Sequence, residues 1–400
     1  MLATVKIGDL REAIIQASHT LDTKTSSMGS WLYLFARQGK PSPAGEDKSA
    51  LYVYTSNLGL ARTMLKIPAT VQKEGEVLIP PKLIQSILFG LPAEENIDFG
   101  MSPSGAKLQV KYGSLKSEIG IHADSQKAVE VLKTVPFNAQ SSFTVSAATL
   151  VSLLNHTLFC TASGSAAVAE GVWLSSIHLQ TRDGFVLAEA TDKVIGGRAE
   201  IPDGLVVGDY SFGIHRDALI ALKAVLSKRE TEEVSVINAP SVQGSSGEVL
   251  FRFSDVILGA GQLSQAYPKA VANIFRVPEG FATATINREV LLGCLGRLSA
   301  FAEKSSFSLT FATDKATAAT RGFNSIIQEQ LAKDEKSEGS VTLGLGIANV
   351  TNVISAMCSE KVVLRYKTSN DHIFAQEGDA EFKYVLSPVA LAWVKEKKAA

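Results

Sequence analysis

The chain has 400 residues, 46% of them hydrophobic and 20% charged, with a formal net charge of −1 at pH 7. That length is more than one hydrophobic core normally serves, so two or three domains are expected, and the even balance of charge excludes a global basic field that would by itself draw nucleic acid. Cys160, Cys294 and Cys358 stand far apart with no CxxC pair, which argues against a disulfide framework or a structural zinc and fits a reducing compartment. The opening MLATVKIGDLREA lacks the basic and apolar runs of a secretion signal, and no stretch approaches the roughly 18 apolar residues of a membrane span, so a soluble cytoplasmic protein with no membrane partner is expected.

The first elements lie in ATVKIGDLREAIIQASHTL (3–21), where a β-prone pair leads into a helix whose Leu10, Ala13, Ile14 and Ala17 fall at i, i+3, i+4 and i+7. Alternating strands follow in SWLYLFAR (30–37) and ALYVYTSNLGLARTMLKI (50–67). A strand and a second helix come in EVLIPPKLIQSILFGLP (76–92), then closing strands in AKLQVKYGSLKSEIGIHA (106–123). The series restarts at FTVSAATLVSLLNHTLFCTA (143–162) and continues through GVWLSSIHLQTRDGFVLAEATD (171–192), YSFGIHRDALIALKAVLS (210–227) and GEVLFRFSDVILGAGQLS (247–264). A third copy runs from ATATINREVLLGCLGRLSAFA (282–302) through SFSLTFATDKATAATRGFNSIIQEQ (306–330) and VTLGLGIANVTNVISAM (341–357) to KVVLRYKTSNDHIFAQE (361–377).

Thr4, Thr144 and Ala284 hold the same place in the three openings, at a constant separation of 140 residues, and a fixed period is the signature of a repeated structural unit. Each copy predicts strand, helix, strands, strand, helix, strands. Antiparallel sheets backing two helices are the natural packing, an α+β class. The stretches RQGKPSPAGEDKS (37–49) and QEQLAKDEKSEGS (328–340) read as loops inserted within copies. The borders fall near Pro136 and Pro278, giving expected domains 1–135, 136–278 and 279–400.

Residues able to carry chemistry are sparse. The histidines at 19, 122, 156, 178, 215 and 372 are scattered, with no HExxH or His-x-His pair. GLGIANV (344–350) resembles a dinucleotide fingerprint, but Asn349 stands where its third glycine belongs and no βαβ unit with a downstream acidic residue surrounds it, so it reads as a strand-to-helix turn. GMSPSGAK (100–107) spaces Gly100, Gly105 and Lys107 unlike a phosphate loop and reads as a hairpin turn. No catalytic residue, metal or cofactor is assigned. The charge distribution says more: the helix over 215–229 carries Arg216, Lys223, Lys228 and Arg229 against Asp217, while the other predicted helices are close to neutral. Mildly positive helices on an otherwise acidic body suit a surface that tolerates a polyanion without gripping it.

Three copies of a two-helix unit in about this length resemble the bacterial DNA sliding clamp, the beta subunit of the replicative DNA polymerase, along the whole chain. EGEVLIPPKLIQSILFGLPAEENIDF (74–99) resembles that family's strand and proline leading into a helix ended by GLP. VWLSSIHLQTRDGFVLAEATDKVIGGRAEIP (172–202) is similar to its paired strands ending in ATDGHRLA. GQLSQAYPKAV (261–271) is similar to its G-x-FPDY stretch, and LGLGIANVTNVISAM (343–357) with YVLSPV (384–389) to its last helix and closing segment.

The resemblance implies repeated clamp domains forming half of a ring, and a homodimer closed head to tail through domains 1 and 3. That ring encircles double-stranded DNA without sequence preference and tethers the replicative polymerase, the clamp loader and repair proteins, with no catalysis of its own. The alternative is a clamp-like adaptor that docks peptides without encircling DNA. Implied DNA-facing residues are Lys24, Lys82 and Arg216, joined by Lys223 and Arg297 on the helices. An implied groove for partner peptides is lined by Ala169, Thr191, Pro268, Asn349, Val385, Ser387, Pro388 and Val389. The chain departs from the family there: ATDKVIGG replaces ATDGHRLA, Asn349 replaces an aromatic residue, Ser387 replaces a methionine, and ALAWVKEKKAA (390–400) follows the family's closing motif, with the hypothesis that Trp393 lies over the groove.

Overall fold

A computed structural model describes residues 1–21, 30–39, 49–57, 60–122, 142–163, 171–239, 247–263, 267–323, 325–334, 340–377 and 382–391. Among them the secondary structure repeats three times as eight strands and two helices. The first copy contains β1 (Leu2–Lys6), α1 (Ile7–Ser18), β2 (Leu32–Arg37), β3 (Ala50–Asn57), β4 (Ala61–Lys73), β5 (Gly75–Ile79), α2 (Pro81–Leu88), β6 (Asn96–Met101), β7 (Lys107–Tyr112) and β8 (Leu115–Gly120). The second contains β9 (Phe143–Ser146), α3 (Ala147–Thr157), β10 (Ser176–Arg182), β11 (Phe185–Thr191), β12 (Ile195–Pro202), β13 (Ser211–His215), α4 (Arg216–Leu226), β14 (Glu233–Ala239), β15 (Glu248–Phe253) and β16 (Val256–Gly261). A short helix, α5 (Val271–Ile274), precedes the third copy. That copy contains β17 (Ala282–Asn287), α6 (Arg288–Phe301), β18 (Ser306–Phe311), β19 (Lys315–Arg321), β20 (Ile326–Ala332), β21 (Val341–Gly346), α7 (Ile347–Ala356), β22 (Lys361–Tyr366), β23 (Ile373–Gln376) and β24 (Lys383–Leu386).

All pairings are antiparallel and follow one scheme. In each copy the first strand pairs the sixth or its equivalent edge, the sixth the seventh and the seventh the eighth, as in β8-β7-β6-β1. The second strand lies between the third and fifth, and the fourth joins the third, as in β13-β10-β11-β12. Two pairings then cross from copy to copy: β16 joins β4, with Leu258 opposite Thr63, and β24 joins β12, with Tyr384 opposite Gly197. Strand β4 changes partner at Pro68, pairing β3 over Ala61–Pro68 and β1 over Ala69–Lys73. A residue without an N–H suits such a handover.

Contacts group the chain into two compact units, Met1–Val151 with Asp217–Ser264, and Ser152–Arg216 with Gln265–Ala400. Each holds one of the two cross-copy pairings. The border expected around Pro136 lies outside the described residues, and that around Pro278 falls between α5 and β17.

The helices sit where the apolar spacing places them, except that the third copy opens one residue later than a strict 140-residue period: α1 and α3 begin at Ile7 and Ala147 but α6 at Arg288, so Thr285, not Ala284, is the counterpart of Thr4 and Thr144. Leu10, Ala13, Ile14 and Ala17 of α1 are all at most 2% exposed, and α4 buries Leu219, Leu222, Val225 and Leu226 in the same way. Burying each large aliphatic side chain is worth about 1.5–3 kcal/mol. The predicted loop over 328–340 begins too early, because β20 runs to Ala332. Its burial alternates residue by residue, with Gln328 and Gln330 on the exposed side and Glu329 on the less exposed one, and a polar outer face protects an edge strand against aggregation. No helix among the described residues is long and apolar enough to cross a membrane.

Within the copies an arginine repeatedly closes a helix end. Arg11 of α1 donates to the carbonyls of Leu88 and Leu91 at 2.8 and 2.5 Å, at the C-terminus of α2. Arg288 at the start of α6 donates to Ile354 O of α7 at 3.1 Å. The last carbonyls of a helix lack intrahelical donors and carry partial negative charge, which a guanidinium satisfies on both counts. Arg11→Met is therefore expected to lower unfolding free energy by about 2 kcal/mol by stranding part-buried carbonyls, whereas Lys82→Met on the exposed face of α2 stays within about 0.5 kcal/mol; urea unfolding of both variants checks the difference.

Candidate functional sites

The predicted peptide groove begins at the turn between β11 and β12. Asp192 Oδ1 accepts from the backbone N–H groups of Val194 and Ile195 at 2.8 and 2.7 Å, and Thr191 Oγ1 accepts from Lys193 N at 3.0 Å while donating to Ile195 O at 2.8 Å. This mesh holds Lys193 at φ 75°, in the left-handed region. Ser387, one residue beyond β24, donates its N–H to Val194 O at 2.8 Å and its hydroxyl to Lys193 O at 3.0 Å. Its hydroxyl also lies 3.4 Å from His372 Nδ1. The third wall is α5 with the residues before it.

Between these walls lies an apolar cavity of about 380 Å³, lined among others by Trp173, Thr191, Pro268, Val271, Ile274, Val385 and Ser387, within the range of small-ligand and peptide-anchor sites. Beneath it Val271, Phe275, Phe374 and Val385 pack together, with Trp173, Tyr267 and Ile274 against them. Trp173 meets Tyr267 edge-on at 5.9 Å, and His178 stacks on Tyr267 at 4.6 Å. Burial pushes the Tyr267 hydroxyl above its ordinary titration range, first through desolvation and then through Glu189.

Of the eight predicted groove residues, Thr191, Pro268, Val385 and Ser387 come together in this cavity. Asn349, Pro388 and Val389 are partly exposed and outside its lining; Val389 instead donates its N–H to Gly344 O at 2.9 Å, just before α7 begins. Ala169 and Trp393 lie outside the described residues. The sequence pattern does not single out Trp173, Lys193, Ile274 and His372, which also line the cavity. The spacing of Val271 and Ile274 is the readable signal for α5; His372 arrives by tertiary placement alone.

The predicted DNA-facing cations differ in how free they are. Lys82 is exposed near the start of α2. The guanidinium of Arg216 donates to Thr161 O and Ala162 O at 3.2 and 3.1 Å, so it also serves as a structural tie. Lys223 is half-buried, and that burial lowers its pKa from the usual lysine range. Arg297 is exposed but bonded to Glu329 at 2.9 Å. Lys24 lies outside the described residues. No group of three or more His, Cys, Asp or Glu side chains suited to a metal ion occurs among the described residues.

No family model matches the sequence. A protein named Beta sliding clamp from Synechocystis sp. is 24% identical over 371 residues, 87% of this chain and 90% of its own. Another of that name from Synechococcus elongatus is 23% identical over 274 residues, 68% of each chain. The crystal structure of a putative DNA polymerase III beta subunit from Eubacterium rectale superposes with a TM-score of 0.83 at 13% identity, covering 98% of this chain and all of that one. The chain has the sliding-clamp fold. It is strongly diverged from these relatives in sequence, and the turn at Lys193, where the clamp pattern ATDGHRLA has glycine, is one place where that divergence has a backbone consequence.

A β-carbon in the left-handed region costs roughly 1–2 kcal/mol that glycine avoids. Lys193→Gly is therefore expected to raise stability by about 1 kcal/mol, or roughly 2 °C in melting temperature, while Lys193→Ala leaves it nearly unchanged; thermal denaturation of the pair measures it.

Proposed function

We propose that this protein is a sliding clamp for DNA replication: two copies join head to tail and enclose duplex DNA, and the cavity beside α5 receives short peptides of the polymerase, the clamp loader and repair proteins. In this reading the three strand-and-helix copies are the three clamp domains, the protein works in the cytoplasm, and it tethers its partners without catalysis of its own.

The observation that carries the reading is the pairing rule at the copy borders. The fourth strand of one copy joins the eighth strand of the next, β4 to β16 and β12 to β24. Among the described residues the corresponding β20 pairs only β19, and β8 only β7. Two strand edges that are covered everywhere else in the repeat are thus left open at its two ends. Head-to-tail contact between unlike surfaces closes into a ring when the rotation allows it, and β20 of one copy against β8 of a second extends the rule.

The rule also gives a register. Val53 faces Leu65, Ala188 faces Ala199 and Ala318 faces Glu329, which makes Thr63, Gly197 and Ile327 equivalent. Val110 faces Ser117, Phe251 faces Leu258 and Ala375 faces Tyr384, which makes Ser117, Leu258 and Tyr384 equivalent. Both existing junctions place these equivalents opposite each other, so Ser117 of one copy faces Ile327 of the other. Facing residues in an antiparallel pair have Cα atoms about 4.5–5.5 Å apart, inside disulfide range. With Cys358→Ser, the double variant Ser117→Cys/Ile327→Cys is expected to give a covalent dimer on mild oxidation, and that dimer, once loaded, to stay on circular plasmid in high salt and leave after linearisation. A dimer in solution that does not cross-link refutes the register; a cross-linked dimer that circular DNA does not retain favours the peptide-docking adaptor.

The cations of the helices support sliding better than gripping. Phosphate attraction is independent of sequence, and with Arg216 tied to carbonyls, Arg297 to Glu329 and Lys223 half-buried, few charges are left to hold DNA in one place. Lys24→Glu/Lys82→Glu, which spares the Arg216 tie, is expected to reduce processive synthesis while leaving the dimer intact. It is also expected to flatten the salt dependence of duplex binding by about 0.9 in log–log slope for each phosphate that is no longer neutralised.

A further inference from the structure

Helix α5 is a wall shared by two cavities. Val271 and Ile274 line the apolar one, whereas Ala272 and the following Phe275, Arg276 and Val277 line a second of about 740 Å³. Five cationic side chains converge on this second cleft: Arg182, Arg198, Arg276, Arg365 and Lys383. The sheet assembles much of that row, since Arg198 on β12 faces Lys383 on β24, which faces Gln376 on β23. Arg198 is neutralised by Glu189 at 3.0 Å and Glu200 at 3.3 Å. Among the described residues Arg182, Arg276, Arg365 and Lys383 have no carboxylate partner, and the Nε of Arg365 is shielded from water without a hydrogen bond. A concave site with several unpaired cations focuses positive potential, and guanidinium forks match carboxylates two bonds at a time.

We propose that this cleft docks acidic residues flanking the apolar anchor of a partner peptide, so that one peptide crosses α5 and is read on both sides of it. The proposal rests on the groove being a peptide site. A four-residue helix is about 6 Å long, a span that two or three extended residues cover. Sequence alone hid the cleft because its cations come from five separated segments.

The test is fluorescence anisotropy on the full chain with the probe Leu-Leu-Phe-Ser-Ser-Ser-Glu-Glu-Glu-Glu, the same residues in reverse order, and versions of both with Gln for Glu. At 50 mM salt the better Glu probe is expected to bind at least tenfold more tightly than its Gln counterpart, with most of that advantage gone at 500 mM. The charge reversal Arg182→Glu/Arg276→Glu/Lys383→Glu, all at exposed positions, should erase the advantage and leave Gln-probe affinity unchanged, with an unaltered melting temperature showing that the fold survives. Equal binding of Glu and Gln probes, or an advantage that survives the reversal, overturns the proposal. An eight-residue oligothymidylate that displaces the Glu probe at lower concentration than tetraglutamate does overturns it in favour of a nucleic-acid site. Ile274→Asp separates the two readings: a Glu advantage that this change leaves untouched sinks the apolar groove, and with it the crossing of α5, whereas Gln-probe binding that it abolishes, with no Glu advantage, upholds the groove and overturns the acidic site.

Discussion

Backbone hydrogen bonds between β4 and β16, and between β12 and β24, carry the sheets across the borders of the repeat. A pairing of this kind is satisfied only if strands from different copies present the same pitch and twist, so the copies must stay alike in backbone while their side chains diverge. That accounts for a chain with low sequence identity to its relatives and a nearly complete structural match. It also explains why contacts group the chain into two units, each built around one border, although the sequence repeats three times. Side chains reinforce the borders locally. Arg62 pairs with Glu248 beside the β4–β16 border, and His156 lies 2.5 Å from the Tyr384 hydroxyl and stacks on Phe382 beside the other.

The candidate peptide site is a by-product of the second border. Once β24 is docked on β12, the chain leaving β24 passes the β11–β12 turn, and Ser387 bonds to Lys193 and Val194 in that turn. The segment joining the second and third copies supplies α5, which shares an apolar cluster with Val385 and Phe374. A cavity made this way draws its lining from several segments that are distant in sequence. Its shape depends on the border being intact, which couples the candidate peptide site to the same pairing rule that leaves β8 and β20 open among the described residues.

What the sequence revealed followed from period and spacing. The six long helices were legible because Leu10, Ala13, Ile14 and Ala17, and their counterparts, obey a helical period that burial then rewards. The order of strands and helices was legible as alternation, but the count of eight was not, because ALYVYTSNLGLARTMLKI (50–67) reads as one strand and forms β3 and the first part of β4. The extent of β20 was not, because an edge strand carrying Gln328, Glu329 and Gln330 has the composition of a loop. Four residues of the predicted groove, Thr191, Pro268, Val385 and Ser387, line one cavity because they sit in or beside strand ends and turns whose placement the repeat dictates. Val389 falls outside the cavity because the segment after β24 turns to bond with Gly344. Arg216 illustrates a different gap: counting charge on a helix cannot tell a cation aimed at solvent from one donating to two carbonyls.

That distinction bears on how weakly the proposed inner surface needs to hold DNA. In the proposed ring, enclosure makes dissociation a matter of opening a strand border, so the energy of phosphate contacts no longer sets residence time and instead adds friction. Each exposed cation facing the polymer raises the barrier between neighbouring positions, while each cation turned inward onto backbone carbonyls strengthens the wall without raising it. Arg11, Arg216 and Arg288 all use their guanidinium groups on carbonyls in this way. In the proposed ring, stability of the wall and mobility of the enclosed duplex are thus served by the same placement of arginine, and the exposed cations, Lys82 among them, are where tuning of that friction is open to mutation.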